Sequence, residues 1–269
     1  MTRTVLAAAC LTAVLLPIAG APLAHATPLT LEISLGIRET GAGGGSLGAI
    51  GSNGGTLGGI EQVNLDGQGF VADGTWQLFT FTASLDSLTA FAGTTANSTL
   101  DGTYGVFEHI RFRSTGDPGP WVIYIDDIVN VTFTGSSTIA GFEGFATGTE
   151  VMFQQPHFSG TTAANFAPTS ANTAAVSDEA AHGGSQSYKI AFEFLDENAS
   201  RWLRLTTFNA PNLPNPQVIL SEIGTPEPPT ISFWLMAEAR STPVPEPATP
   251  ALFGLGLAGI GIARRMRRG

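Results

Sequence analysis

The sequence predicts an all-β fold built from many short strands, and three observations support this prediction. The 269-residue chain contains 33 glycines and is rich in Thr, Ser, Asn and Ala, a composition typical of strands joined by turns. Several segments alternate apolar and polar residues with a period of two, which predicts strands with one buried face. Between the terminal segments, no stretch shows the 3.6-residue periodicity of an amphipathic helix. We therefore divide the chain into an N-terminal signal, a β body and a C-terminal tail.

The first 26 residues are predicted to be a signal peptide. Arg3 supplies the positive start, residues 5–18 form an apolar run, and Ala24-His25-Ala26 is a small-x-small cleavage site. The single cysteine, Cys10, lies inside this segment, so the predicted body has neither a disulfide nor a thiol. These features predict an exported protein.

The body, residues 27–240, is strongly acidic. It contains 21 acidic side chains against 7 basic ones, which gives a net charge near −14. A surface of this sign repels nucleic acid and anionic lipid, and a single lysine leaves no basic patch. The charge suits a soluble extracellular protein and argues against a nucleic-acid partner.

Seven segments of the body are predicted to be strands: 29–37, 75–83, 105–113, 121–133, 187–194, 201–207 and 230–237. Residues 75–83 carry large apolar side chains on both sides, so we expect both faces of that strand to be buried. Residues 135–138 are predicted to form a polar turn. The long polar stretch 159–184 has little periodicity, and we expect it to be a surface excursion.

The strand 121–133 carries two adjacent carboxylates. Alternation places Asp127 on the apolar face, while Asp126 points the other way unless a bulge turns both toward one site. A buried carboxylate without a partner costs several kcal/mol, so Asp127 needs a partner. A hairpin through residues 135–138 would bring Glu143 close to the Asp pair. These hard oxygen ligands, with backbone carbonyls, predict a structural calcium site at Asp126, Asp127 and Glu143.

Two motifs give the body a resemblance to the carbohydrate-binding-module type of β-jelly roll, also called galactose-binding-like. They are Gly141-Phe142-Glu143-Gly144 and the strand motif of residues 121–128, WVIYIDDI. The resemblance implies a jelly-roll sandwich in which both motifs share a structural Ca²⁺. In this chain the motif of the closing strand, residues 121–128, comes before the motif of the opening strand, residues 141–144. Two explanations stay open: one circularly permuted domain over 27–240, which we favour, or two small β domains, 27–135 and 139–240.

A sugar-binding role would require exposed aromatic platforms, and we single out Tyr124 and Trp202 as ligand-binding candidates. Tyr124 is expected to be the better exposed, since alternation places it on a polar face. Catalysis has little support in the sequence. Glu108 and His109 are adjacent in a strand, so we expect their side chains to point to opposite faces and to form no dyad. The body is predicted not to be an enzyme.

The tail, residues 241–269, contains three parts in a fixed order. The first is the motif Val244-Pro245-Glu246-Pro247. The second is an apolar run of 16 residues, 248–263, slightly short of the roughly 20 that span a bilayer as a helix. The third is a basic cluster that prefers the cytoplasmic face of the membrane, formed by Arg264, Arg265, Arg267 and Arg268.

This tail resembles the PEP-CTERM sorting signal of Gram-negative bacteria. The resemblance implies export, a transient anchor in the inner membrane through residues 248–263, and processing by an exosortase near the motif. It further implies release to the cell surface or extracellular matrix. We therefore predict an exported, non-catalytic surface or matrix protein whose lectin-like jelly roll binds a glycan such as an exopolysaccharide. The alternatives are a purely structural or adhesive surface protein and a secreted glycan-processing enzyme.

Overall fold

The computed structural model describes residues 29–40, 59–101, 104–132, 135–168, 171–208, 219–221 and 230–240. Within these ranges the protein is a sandwich of two antiparallel β-sheets, and the only helical segment is the 3₁₀ turn Ala163–Asn165. This confirms the predicted all-β sandwich. The predicted signal peptide and the sorting tail lie outside the described residues.

Sheet I is ordered β10-β5-β1-β2-β4, and β11 also pairs with β5. Its strands are β1 (Thr30–Thr40), β2 (Ile60–Val71), β4 (Leu88–Ala92), β5 (Tyr104–Ser114), β10 (Trp202–Thr206) and β11 (Ile219–Ser221). Sheet II is ordered β3-β12-β6-β9-β8, and β7 also pairs with β6. Its strands are β3 (Gln77–Thr82), β6 (Trp121–Thr132), β7 (Gly135–Ala140), β8 (Thr173–Ser177), β9 (Ser187–Phe192) and β12 (Thr230–Ala237).

The core lies between the two sheets and follows the alternation of their strands. Leu31 and Ile33 of β1 are fully buried, and so are Ile123 and Ile125 of β6. Aromatic rings cross the interface, for example Phe107 of β5, which stacks on Phe233 of β12 with ring centroids 6.3 Å apart. Burial of large apolar side chains from both sheets supplies the main driving force for the sandwich.

Each sheet combines strands from both halves of the body. In sheet I, β5 pairs with β1 and with β10, and in sheet II β6 pairs with β9 and with β12. The two ends of the described body also meet, because the Leu29 N–H donates to the Arg240 carbonyl at 3.2 Å. The Arg240 N–H in turn donates to the Ala72 carbonyl at 2.8 Å. The two ends of the described body thus lie side by side, and the choice between one permuted domain and two small ones stays a prediction.

All seven predicted strands are present, whereas three local expectations are wrong. Residues 135–138 are not a turn but belong to β7, whose polar side chains are exposed on both faces. The stretch 159–184 contains β8. The outer face of β3 is exposed, with Leu78 at 52 %, because β3 is the edge strand of sheet II and nothing described packs over that face.

The described ranges contain no helix that is long and apolar enough to cross a bilayer.

Candidate functional site

A β-bulge in β5 places two polar side chains on the same side of sheet I. The register of β5 against β1 runs from Gly36↔His109 to Ile37↔Phe107, so Glu108 is an extra residue in β5. The extra residue breaks the alternation, and His109 Nδ1 contacts Glu108 Oε2 directly. The expectation that Glu108 and His109 point to opposite faces is therefore wrong.

Glu108 is fully buried and lies between two arginines. Arg204 donates Nη2 to Glu108 Oε1 and Nε to Oε2, the latter at 3.3 Å. Arg38 Nη2 lies 3.5 Å from Oε1, and the Thr206 hydroxyl donates to the same oxygen at 3.0 Å. Burial raises the pKa of Glu108, but His109, Arg204 and Arg38 outweigh burial and hold that pKa below its ordinary value. Glu108 is thus a buried carboxylate held ionised by its partners.

His109 extends this network across sheet I. Its Nε2 lies 2.9 Å from Oε1 of the Gln62 amide, and Gln62 Nε2 donates to the Ser34 hydroxyl at 2.9 Å. The imidazole lies over Gly36, where any Cβ would collide with the ring. Burial lowers the pKa of His109 and outweighs the nearby Glu108 carboxylate, which raises it. We call Arg38, Glu108, His109 and Arg204 the Glu108 cluster.

An aromatic wall covers the outer side of this cluster. The Phe91 ring lies 5.4 Å from the Arg204 guanidinium and 5.3 Å from the His109 ring. Trp202 packs edge-on against Phe91, and the Arg111 guanidinium lies 5.1 Å from the Trp202 ring centroid. Trp202, predicted from the sequence as a ligand-binding residue, is therefore half-buried in this wall next to the cluster.

A cavity of about 430 Å³ opens beside the cluster, at the free edge of β10. We call it the Arg204 cavity, and its lining residues are Phe158, Ser159, Gly160, Thr161, Arg204, Thr206 and Phe208. Two bonds hold the lining loop on β10, from Gln154 N–H to the Thr206 carbonyl at 2.9 Å and from Arg204 N–H to the Thr162 hydroxyl at 3.4 Å. The cavity thus combines aromatic walls, hydroxyl groups and a guanidinium that Glu108 positions.

A second β-bulge, in β6, determines the direction of two predicted calcium ligands, Asp126 and Asp127. β12 pairs with β6 from Ser232↔Val129 to Trp234↔Asp126, and Asp127 has φ of +47°. The bulge reverses the alternation beyond it, so the expected burial of Asp127 is wrong. Asp126 is the buried carboxylate, and Val129 turns outward instead of facing the core.

The three predicted calcium ligands come together on one loop, residues 182–186. Asp126 Oδ2 accepts the N–H groups of His182 and Gly183 at 2.8 and 3.0 Å. Asp127 Oδ2 lies 2.7 Å from His182 Nδ1. Glu143 Oε1 accepts two further N–H groups of the loop at 2.7 and 2.8 Å, those of residues 185 and 186. We call this arrangement the carboxylate clamp.

The carboxylates of the clamp accept backbone N–H groups of the loop. In the part of the chain that the structure describes, no group of three or more His, Cys, Asp or Glu side chains is arranged to hold a metal ion. The carboxylates lie along the loop instead of converging on one point. Calcium binding stays a prediction from the sequence.

Burial and hydrogen bonding act in opposite directions on the clamp carboxylates. Burial raises the pKa of Asp126 and outweighs the N–H bonds that it accepts. The N–H bonds from Ser185 and Gln186 lower the pKa of Glu143, which is exposed. The His182 ring stacks on Trp234 with centroids 3.9 Å apart, so the clamp also anchors an aromatic pair on the outer face of sheet II.

Tyr124 is not the exposed aromatic residue that alternation predicts. Its side chain is only 3 % exposed, because the loop that leads to the clamp and the end of β12 both cover it. The Tyr124 hydroxyl donates to Glu179 at 3.1 Å and to Glu238 at 3.3 Å, and Lys189 lies 5.8 Å from the ring. This environment leaves no open platform at Tyr124.

Sequence reasoning missed the Glu108 cluster, although the sequence contained a signal for it. Val106-Phe107-Glu108-His109 places two apolar residues before two polar ones, which breaks strict alternation. The partners Arg38 and Arg204 lie far away in the sequence and carried no such signal. Only the pairing of β1, β5 and β10 brings them together.

Comparison with known proteins identifies the tail alone. A family model described as the PEP-CTERM protein-sorting motif matches residues 243–268, which include Val244, Pro245, Glu246 and Pro247 and the predicted basic cluster. No curated protein and no solved structure matches the chain. The chain therefore carries a PEP-CTERM sorting motif at its C-terminal end, which marks an exported protein targeted to an exosortase.

Proposed function

We propose that this exosortase-targeted protein is a non-catalytic, glycan-binding protein of the cell surface or extracellular matrix. The observation that carries the proposal is the Arg204 cavity, which lies at the open edge of sheet I. Its volume of about 430 Å³ is in the range of small-molecule sites and suits one or two sugar rings. An extracellular polysaccharide is the partner that fits this chemistry.

The lining of the cavity suits a sugar because it is both apolar and hydroxylated. Phe158, which is 44 % exposed, and Phe208 offer aromatic faces for the C–H side of a pyranose ring. Thr161 adds a hydroxyl group that exchanges hydrogen bonds with sugar hydroxyls. Neither feature alone would distinguish a sugar site, whereas the combination favours one.

The floor of the cavity is held in position before any ligand arrives. Arg204 is fixed by two bonds to Glu108, and Thr206 bonds to the same carboxylate. A side chain that is already ordered loses little conformational entropy on binding, which favours affinity. The buried cluster therefore supports a binding role.

The position of the Glu108–His109 pair supports a non-catalytic function. Both side chains are fully buried, and their bonds are to protein groups. A general acid or base must reach a substrate proton directly or through one water molecule. Enclosed behind Phe91 and Arg204, this pair is suited to holding the floor of the cavity rather than to proton transfer.

A glycan microarray tests the proposal. The exported, processed protein should bind a subset of polysaccharides, and Phe158→Ala should weaken that binding about 5- to 10-fold through loss of stacking. Leu195→Ala is the matched control, since Leu195 is similarly exposed at 47 % and does not line the cavity. Absence of glycan binding, or equal binding by both variants and the unaltered protein, would overturn the proposed function.

A further inference from the structure

Arg240 fixes the C-terminal end of the described body through both its backbone and its side chain. Its N–H donates to the Ala72 carbonyl at 2.8 Å, and its carbonyl accepts the Leu29 N–H at 3.2 Å. Its Nη1 donates to Asp117 Oδ2 at 2.7 Å, and its Nη2 donates to the Gly119 carbonyl at 2.8 Å. The ends of most domains are poorly ordered unless they are tied down, and these bonds tie the body down as far as Arg240.

The groups that receive the Arg240 guanidinium are held in place by their own bonds. The Gly119 N–H donates to Asp117 Oδ1 at 3.1 Å, and Trp121 Nε1 donates to the Asp117 carbonyl at 3.3 Å. The Trp121 residue is fully buried, and its ring centroid lies 4.9 Å from the guanidinium. An ion pair with a preorganised anion and an aromatic neighbour is stronger than a freely exposed pair. We call the contacts of Arg240 with Ala72, Leu29, Asp117, Gly119 and Trp121 the Arg240 latch.

The chain between the latch and the sorting motif is short. Ser241, Thr242 and Pro243 are the only residues between Arg240 and Val244, the first residue of the motif. An extended chain spans at most about 3.6 Å per residue, so the segment from Arg240 to Val244 reaches at most about 14 Å. A folded domain of roughly 210 residues has a radius of gyration of about 17 Å. The segment before the motif is therefore shorter than the radius of the body that it is attached to.

An enzyme that processes a chain has to enclose an extended stretch of backbone around its target bond, and latched backbone becomes accessible only by local opening. When opening is fast relative to processing, the rate of processing follows the population of the open form. Release of Arg240 leaves the bond from the Glu238 N–H to the Val122 carbonyl, at 3.1 Å, as the last one that holds the described chain. Opening therefore lengthens the free segment before Val244 from three residues to five.

We propose that Arg240 is a positioning residue for exosortase processing. While it is latched, the segment before the motif is too short for the enzyme to enclose, so processing of the folded protein waits until the latch opens. Arg240 takes no part in the chemical step, since it acts only through the length of free chain that it leaves. This inference rests on the PEP-CTERM motif and is independent of the proposed glycan binding.

A pulse-chase experiment with the full-length chain, in cells that contain an exosortase, tests the inference. Arg240→Gln removes the ion pair and the cation–π contact, so the latch should open more often and the processed form should appear about 5- to 10-fold faster. Lys189→Gln is the matched control. It removes the Lys189–Glu179 pair at 2.6 Å and the contact with the Tyr124 ring at 5.8 Å, neither of which involves a latch residue, and should leave the rate unchanged.

A flexible spacer separates positioning from stability. About ten Gly and Ser residues inserted between Thr242 and Pro243 lengthen the free segment while every contact of the latch is kept. The spacer alone should speed processing at least as much as Arg240→Gln does. In the spaced chain Arg240→Gln should have no further effect, whereas a merely structural role of Arg240 gives the same change with and without the spacer.

Two outcomes would overturn the inference. The first is a processing rate that the spacer leaves unchanged, and the second is an effect of Arg240→Gln that is equally large in the spaced and unspaced chains. Thermal unfolding shows whether Arg240→Gln still folds. If it does not, the spaced chain with its intact latch decides alone, because faster processing there supports the inference and an unchanged rate refutes it.

Discussion

The Glu108 cluster and the carboxylate clamp are built by the same local device and stabilised in different ways. In each, a β-bulge places two neighbouring side chains where strict alternation would separate them. Glu108 is then balanced by charged side chains from β1 and β10, while the clamp carboxylates accept backbone N–H groups of one loop. A bulge sets where a carboxylate points, and the neighbouring segments decide what balances its charge.

The two buried carboxylates also differ in the direction of their pKa shifts. Burial acts on both, but two arginines and His109 reverse its effect at Glu108, whose pKa is lowered. At Asp126 burial outweighs the N–H bonds, and the pKa is raised. Formal charges compensate for lost hydration more fully than amide dipoles do.

Removing the carboxylate of the cluster should give the largest effect. Glu108→Gln leaves the Arg204 and Arg38 guanidiniums buried without their shared anion, and we expect a loss of about 3–5 kcal/mol in the free energy of unfolding. Denaturant unfolding measures it. The control Glu32→Gln breaks the half-exposed Glu32–Arg113 pair on the same sheet and should cost at most about 1 kcal/mol. Equal losses in the two variants would contradict the contrast between buried and exposed pairs.

The pH dependence of stability should separate Glu108 from Asp126 by sign. The lowered pKa of Glu108 means that its contribution is present at neutral pH and is lost as pH falls below the ordinary value of about 4.3. The raised pKa of Asp126 means that, as pH falls, this carboxylate binds its proton at a higher pH in the folded protein than in the unfolded protein. Acid therefore favours folding at this site. Between pH 6 and 3, Glu108→Gln should therefore lose stability less steeply than the unaltered protein.

Asp126→Asn should change the same acid profile in the opposite direction. It removes the contribution that grows with acid, so its stability should fall more steeply than that of the unaltered protein. Thermal unfolding at half-unit intervals of pH measures both variants. Slopes that change in the same direction would show that the two carboxylates do not differ as described.

The clamp should be sensitive to a single added methyl group on its loop. Gly184 has φ of +64°, and a Cβ there would collide with Glu143 Oε1. Gly148→Ala is the control, since Gly148 has φ of +88° and open space around its Cβ position. Both variants carry backbone strain of about 1 kcal/mol or more. Gly184→Ala should lose about 1 kcal/mol beyond the control, because Glu143 must leave its N–H bonds.

Calcium removal tests the site predicted at Asp126, Asp127 and Glu143. The predicted structural ion requires that EGTA lower the melting temperature by several degrees and that Asp127→Asn remove this response. If EGTA leaves the melting temperature unchanged, the calcium prediction is wrong and the clamp is stabilised by its N–H bonds alone.

Alternation predicted the strands well where it was unbroken and failed where one extra residue interrupted it. The segments around β1, β6 and β12 were found because their apolar residues repeat every two positions over a long run. β2 and β7 were missed because polar and glycine residues dilute their pattern. At Asp127 and at Glu108 the period shifts by one residue, so the expected burial of Asp127 and the expected separation of Glu108 from His109 were both wrong.

The sequence by itself determined the all-β class, most of the long strands and the PEP-CTERM sorting motif. Each of these is a local property, carried by periodicity or by contiguous residues. The pairing of Glu108 with Arg38 and Arg204, the Arg204 cavity and the loop held by the clamp were decided only by the tertiary structure. Strand register and bulge position depend on how distant segments pack against one another, and a charged side chain acquires its partner only when that packing removes it from water.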